Sequence, residues 1–361
     1  MINESTSRVG TIKGYLQRLD QIERQSGGVL FFRGHAKTSY KLVPSIYRNK
    51  GWISNEAAML NELILRCPNE FSSGLSTFQT LVRMQHYSLP TRLLDITSNP
   101  LVALYFACET DEDSKEEDGA VFAMSQKLNE VKYFDSDTVS VIANISRRPA
   151  DFQLPGSTTK AAFNRSKQIE LLLHDIRQDK PYFKAAIEPT HPRTVLCVKP
   201  KLDNPRIVRQ EGAFLIFGVD GIKSRPAEVQ STIDIEKILI NKNRKADLLL
   251  QLERLGISKA SLFPEIDQVS LHIRAIYEAP DLNPDKLEPT QRKVFMLLSK
   301  GAGVTVKDVS TKLKIDVDVA DMVIGQLSKR KVIERVSGTG AILWRARQSD
   351  SPDADRTIGR L

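Results

Sequence analysis

At 361 residues the chain is longer than one ordinary core organises, so its length predicts two or three units. Hydrophobic residues make up 41% and charged residues 27%, both globular values, and no apolar run approaches the roughly 18 residues of a membrane span. These numbers predict a soluble chain with no membrane partner.

The N-terminus "MINESTSRVGTIKGYLQRLD" lacks the charged, apolar, small-residue order of a signal peptide. Cys67, Cys108 and Cys197 are too widely spaced for a metal or disulfide pattern, so the expectation is a reducing, cytoplasmic setting with no structural metal.

In chain order, "GVLFFRG" (28–34) reads as the first strand. Helical patterns follow over Glu56–Glu70 and Phe78–Tyr87. A polar, turn-like run then leads into an apolar helix over Pro100–Glu109. Asn99 caps that helix and Pro100 suits its first position. Residues 101–107 are apolar all round, so the helix must be enclosed by protein. The acid-rich "ETDEDSKEED" (109–118) reads as a solvated loop. Strands are expected at 119–124, 194–199, 212–218 and 235–240, with helices over Arg165–Gln178, Lys245–Leu255 and Ile266–Tyr277. Strands and helices do not alternate regularly, so the fold class is α+β.

"EAPDLNPDKLEPT" (278–290) carries three prolines and several acids between helical patterns, and marks a linker over 278–288. The first domain is therefore expected over residues 1–277. Beyond the linker, "TQRKVFMLLSK", "TVKDVSTKLKI" and "DVADMVIGQLSKRKV" are amphipathic helices. "VIERVSGTGAILWRA" follows as two strands around a Gly-rich turn. Three helices and a hairpin predict a small winged helix-turn-helix domain over 289–347, followed by a disordered tail over 348–361.

The formal charge of +8 is concentrated there: residues 286–347 hold 13 Lys or Arg against 6 Asp or Glu. That basic excess suits DNA, with the helix Asp318–Arg330 in the major groove and Lys329, Arg330, Lys331, Arg335 and Arg345 near phosphates. Asp316, Asp318 and Asp321 at the start of the same helix would face the phosphate backbone. Contact with a protein partner, or homodimerisation, therefore stands beside DNA binding.

Polar residues crowd the entry to the apolar helix: His86, Arg92, Asp95, Thr97 and Ser98. One reading is structural, with Arg92 paired to Asp95, Asp95 steadying the helix end and His86 satisfied in the core. The other is a ligand site, since the helix N-terminus presents free N–H groups and partial positive charge. His35, just after the first strand, is expected to be a surface turn residue. Five scattered histidines, and the lack of a Gly-rich phosphate loop, a nucleophile elbow or a His-Glu-x-x-His motif, exclude most nucleotide hydrolases and metalloproteases.

Four blocks, "LFFRGH" (30–35), "QHYSLPTRLLDITSNPLVALYFA" (85–107), "RIVRQEGAFLIF" (206–217) and "KADLLLQLERLGISKASLFPEIDQVSLHIR" (245–274), together resemble the FRG domain across roughly residues 10–277. The Phe-Arg-Gly signature is Phe32, Arg33 and Gly34. Two positions depart from the family: Ile96, where Trp is frequent, and Ser88, where Gly is usual. Family members occur with other modules, some in bacterial or phage defence, which the resemblance extends to this chain as an expectation.

The order of segments is also loosely similar to ADP-ribosyltransferases. That resemblance implies NAD as the substrate, with ADP-ribosyl transfer or NAD cleavage as the activity. It makes Arg33 the phosphate-contacting arginine, beside Gly34. Asp95 and Thr97 fall at the Ser-Thr-Ser motif, and Glu211 or Gln210 at the catalytic strand, where only one of these neighbours can enter a cleft. A carboxylate there would stabilise the positive charge that develops on the ribose. The site expected from resemblance and residues together comprises Arg33, Gly34, His86, Arg92, Asp95, Thr97, Ser98, Gln210 and Glu211. The alternative is a non-enzymatic regulator acting through the winged domain.

Overall fold

In the computed structural model, which describes residues 2–22, 28–71, 74–110, 117–156, 159–229, 233–264, 287–299, 303–329, 333–336 and 343–346, the chain divides into two units, Met1–His272 and Ile273–Leu361. The first unit runs β1 (Ile2–Val9), α1 (Ile12–Asp20), β2 (Gly28–His35), α2 (Lys50–Ser54), α3 (Glu56–Arg66) and α4 (Thr77–His86). β3 (Leu93–Thr97), α5 (Pro100–Cys108), β4 (Gly119–Lys127), β5 (Lys132–Tyr133), α6 (Asp137–Asn144), α7 (Lys160–Asn164) and α8 (Lys167–Asp179) follow. It closes with β6 (Val195–Lys199), α9 (Pro205–Arg209), β7 (Gly212–Phe217), β8 (Asp234–Ile240), α10 (Lys245–Arg254) and α11 (Lys259–Leu262). Among the described residues the strands form one mixed sheet in the order β1-β8-β4-β2-β3-β7-β6-β5. The α+β class is thereby established.

Neighbouring residues along the strands go to opposite faces, as a pleated strand requires. On one face, Phe32, Val121, Ala123, Ile238 and Ile240 pack against α1, α5 and α10. Leu93, Val198, Phe214 and Ile216 pack against α3, α4 and α6. Their alternates Phe31, Leu94, Ile96, Phe122, Cys197, Leu215 and Phe217 form a separate cluster. The sheet has one weak joint. β2 is paired with β4 along its whole length but meets β3 at a single pair, Phe32 with Thr97.

Several boundaries differ from the sequence expectation. The helix expected to reach Glu70 stops at Arg66, because Pro68 pushes Cys67 out of helical conformation. The turn-like run before α5 contains the strand β3, whose five residues LLDIT are too short and too interrupted by Asp95 to show a period. β1, α1, α6, α7 and α9 carried no expectation. The helix expected over Ile266–Tyr277, residues 278–286 of the linker, the acidic residues 111–116 and the tail lie outside the described residues.

The second unit contains α12 (Pro289–Leu298), α13 (Val306–Leu313) and α14 (Val317–Lys329), followed by β9 (Ile333–Val336) and β10 (Leu343–Ala346) paired antiparallel. Val294, Phe295, Leu298, Val309, Val323 and Leu327 form its core. Val304, ahead of α13, adds a bridge to Trp344. Among the described residues no helix is long and apolar enough to cross a membrane. The three cysteines are unpaired.

Candidate functional site

The apolar helix α5 is enclosed because it lies directly on the sheet. A Cβ on Gly34 would stand 1.9 Å from the Ala103 carbonyl oxygen, and one on Gly119 would stand 2.2 Å from that of Ala107. Only glycine permits that approach at residue 34. At the N-terminus of α5, Asn99 Oδ1 accepts from Leu101 N (3.0 Å), with Pro100 in the first helical position, as the sequence predicts. Thr97 is buried. Its Oγ1 donates to the Gln210 carbonyl (2.6 Å) and accepts from Asn99 N (3.0 Å), tying β3 to the segment before β7.

Arg33, Gly34, Asp95, Thr97 and Gln210 line one cavity of about 120 Å³, so three segments far apart in sequence converge. Arg206, which the sequence reading passed over although it opens a quoted block, lines it as well. The Arg33 side chain is only 19% exposed. Its Nε donates to His35 Nε2 (3.0 Å) and its Nη1 to the Asp95 carbonyl oxygen. The closest carboxylate oxygen, Asp95 Oδ2, is 4.0 Å from Nη1, beyond hydrogen-bond reach. Burial pulls the Arg33 pKa down to about 10, with Asp95 opposing and Arg48 reinforcing the shift. His35 is buried, contrary to the surface position expected. Burial first, and the Arg33 charge second, pull its pKa down to about 3, which leaves a neutral ring accepting from Arg33.

Asp95 projects from β3 with 53% of its side chain exposed and accepts from Gln85 Nε2 (2.7 Å). Gln85 Oε1 is itself held by the Thr91 hydroxyl. His86, half-buried at the end of α4, stacks edgewise on Tyr87 at 5.0 Å and is therefore not a core histidine. It lines a crevice of about 60 Å³ with Gln85, Asp95, Arg206 and Gln210.

Arg92 corrects both readings of the polar run. It does not pair with Asp95, and it lines neither the Arg33 cavity nor the crevice beside it. It is fully buried and forms a bidentate pair with Glu56 (Nε–Oε1 2.9 Å, Nη2–Oε2 2.5 Å), with Nη1 on the Phe217 carbonyl (3.2 Å). Lys223 Nζ completes the cluster at 3.2 Å from Glu56 Oε2 and donates to the Ser146 carbonyl at 3.1 Å. Burial lowers the Lys223 pKa to about 8. Burial alone pushes the Glu56 carboxyl up, but the two cations hold it below its usual range. No motif marks Glu56 or Lys223, because the partners lie far from Arg92 in sequence.

Gln210 and Glu211 are not strand neighbours facing opposite ways, and β7 is not an edge strand. Gln210 caps α9 and its Nε2 donates to the Leu262 carbonyl (3.1 Å). Glu211 stands at φ +45°, before β7 begins, and β7 lies between β3 and β6. The Glu211 carboxylate accepts from Asn99 Nδ2 (2.9 Å) and Ser98 Oγ (3.2 Å) at the start of α5. Glu211 and Ser98 line a second, larger cleft of about 940 Å³ with Gly28–Phe32, Tyr133, Phe134 and Lys199, in the gap left by the single β2–β3 pairing. Phe32 lines both cavities, but Arg33 and Glu211 do not share one.

In the second unit, Lys329 ends α14, Arg335 lies on β9 and Arg345 is exposed on β10, whereas Arg330 and Lys331 lie outside the described residues. The outer surface of α14 carries Asp318 and Asp321 together with exposed Val317, Val319 and Met322. Among the described residues no cluster of His, Cys, Asp or Glu could hold a metal ion.

A mixed sheet, a glycine-seated apolar helix and a signature arginine opening into a cavity beside it define the first unit. Residues 29–116 match the family model described as "FRG domain". The match takes in Arg33, Gly34, Asp95, Thr97 and α5, and stops short of Arg206, Gln210 and Glu211. No curated protein and no solved structure matches the chain.

Proposed function

We propose that the FRG unit binds a nucleotide-like ligand where β2, β3 and the α9–β7 segment meet. The observation that carries this reading is Arg33: a largely buried guanidinium with no carboxylate at hydrogen-bond distance among the described residues, opening into a cavity shared with Asp95, Thr97 and Gln210. In the enzymatic form of the proposal the ligand is NAD, cleaved or used for ADP-ribosyl transfer, with Glu211 as the carboxylate facing the ribose in the larger cleft. Incubation with labelled NAD and a mixed protein and nucleic-acid extract tests it. Nicotinamide release or transferred label that is lost in both Arg33→Ala and Glu211→Ala is the expected outcome. No turnover by folded protein defeats the enzymatic form.

A second reading has its own support. Arg33 and Glu211 line different cavities, and the Glu211 carboxylate is already engaged by Ser98 and Asn99. Those facts favour a regulator that senses its ligand without turnover and acts through the second unit. We read that unit as a winged helix-turn-helix, on the support of its three helices and antiparallel hairpin. The acidic and apolar outer surface of α14 favours a protein partner over DNA at that helix. A defence setting, expected from the family resemblance, stays part of the proposal.

A further inference from the structure

We propose that the Arg33 cavity is the subsite for a ribose phosphate, with Arg206 as the second phosphate-holding cation and Asp95 accepting a hydrogen bond from a ribose hydroxyl. The inference rests on the ligand reading above and names the chemistry of its site.

It begins from a contrast between two buried arginines. Arg92 is neutralised by a bidentate carboxylate, and the pair raises its pKa despite burial. Among the described residues Arg33 meets a carbonyl oxygen, a histidine nitrogen and one carboxylate, Asp95, which stands 4.0 Å away and is itself half exposed. A guanidinium largely withdrawn from water whose one carboxylate lies beyond hydrogen-bond reach is less fully compensated than a bidentate pair, and a further anion would complete it. Arg206, which lines the same cavity, compounds the imbalance. Its guanidinium lies 4.7 Å from the face of Phe263 and, among the described residues, forms no ion pair. Two guanidinium side chains that line one small cavity suit a phosphate, which offers several acceptor oxygens.

Asp95 decides what the phosphate is attached to. A carboxylate in the same cavity repels a bare anion, so a free phosphate is poorly matched. The acid is nevertheless held in place, because the Thr91 hydroxyl fixes Gln85 and Gln85 Nε2 is directed onto Asp95 Oδ2. An oriented acceptor beside two cations matches a ligand that carries hydroxyl donors a few bonds from its phosphate. The space agrees. At about 120 Å³ the cavity takes a phosphate-sized group and falls below the roughly 300–1,000 Å³ of sites that enclose a whole ligand. The crevice beside it shares Asp95, Arg206 and Gln210 and extends the space by about 60 Å³ on the side where the sugar would lie.

The test is calorimetric titration of the full chain with inorganic phosphate, ribose 5-phosphate and adenosine monophosphate. The proposal predicts that ribose 5-phosphate binds more tightly than phosphate and that Arg206→Gln weakens both by about tenfold or more, with Arg206→Lys in between. Asp95→Asn should weaken ribose 5-phosphate by about tenfold while leaving inorganic phosphate unchanged or tighter, because a repelling charge is removed. Both positions are solvent-accessible, and unchanged circular dichroism melts would show that the variants fold. Equal weakening of both ligands by Asp95→Asn would overturn the assignment, as would indifference to Arg206→Gln. Adenosine monophosphate binding that survives both substitutions would defeat this subsite yet leave the general ligand reading intact, whereas no binding of any probe would defeat both.

Discussion

Ser88 stands at φ +61°, in the left-handed region where a Cβ costs roughly 1–2 kcal/mol. The resemblance noted glycine as usual there, and the backbone supplies the reason. Ser88→Gly should be neutral to stabilising by up to about 1 kcal/mol, read as a shift in the urea midpoint. At the buried cluster, Glu56→Ala would leave Arg92 and Lys223 without their anion and should cost about 3–5 kcal/mol in the same measurement. His35 sets a pH dependence. Its folded pKa of about 3 lies below the ordinary value of about 6.5, so between those limits the unfolded chain binds a proton that the folded one excludes. Stability from this residue is therefore full above about pH 6.5 and is lost as pH falls toward 3, by a few kcal/mol in all. His35→Gln keeps an acceptor for Arg33 and does not titrate, so its stability should fall less steeply than wild type between pH 7 and 4. Parallel curves would refute the assignment.

α5 depends on its two glycine seats. Gly34→Ala should push the helix off β2 and lower stability by about 1–3 kcal/mol or more, seen as a fall in the thermal midpoint with loss of the hydrogen-exchange protection of α5 amides. The helix itself was readable in the sequence, because its cap, its proline and its all-round apolar character are local signals. Five of the eight strands were readable for the same reason. The joint between β2 and β3 was not, since one residue pair separates a continuous sheet from an open one and no local pattern records it. Arg92 shows the same limit. An arginine three residues from an aspartate suggested a pair, yet β3 is extended and carries the two to opposite faces, so Arg92 finds Glu56, 36 positions away. The ADP-ribosyltransferase resemblance implied a strand position for Glu211, but the residue belongs to the turn that enters β7.

Taken as a whole molecule, the chain concentrates its basic charge within the second unit, where residues 286–347 hold 13 Lys or Arg against 6 Asp or Glu. If that basic charge serves DNA, retention of the full chain on duplex DNA should fall steeply with salt and disappear when residues 286–361 are removed. Retention unchanged by the deletion would move the nucleic-acid surface to the FRG unit, and no retention at low salt would leave a protein partner for α14. The account turns on whether Arg33 awaits an anionic ligand or is merely a well-buried structural arginine. Magnetic resonance of the Arg33 side-chain Nε–H during titration with ribose 5-phosphate decides this most directly. A saturable shift at Arg33, absent from the sealed Arg92 signal, is the predicted result; an Arg33 signal that stays fixed at saturating ligand would contradict the account.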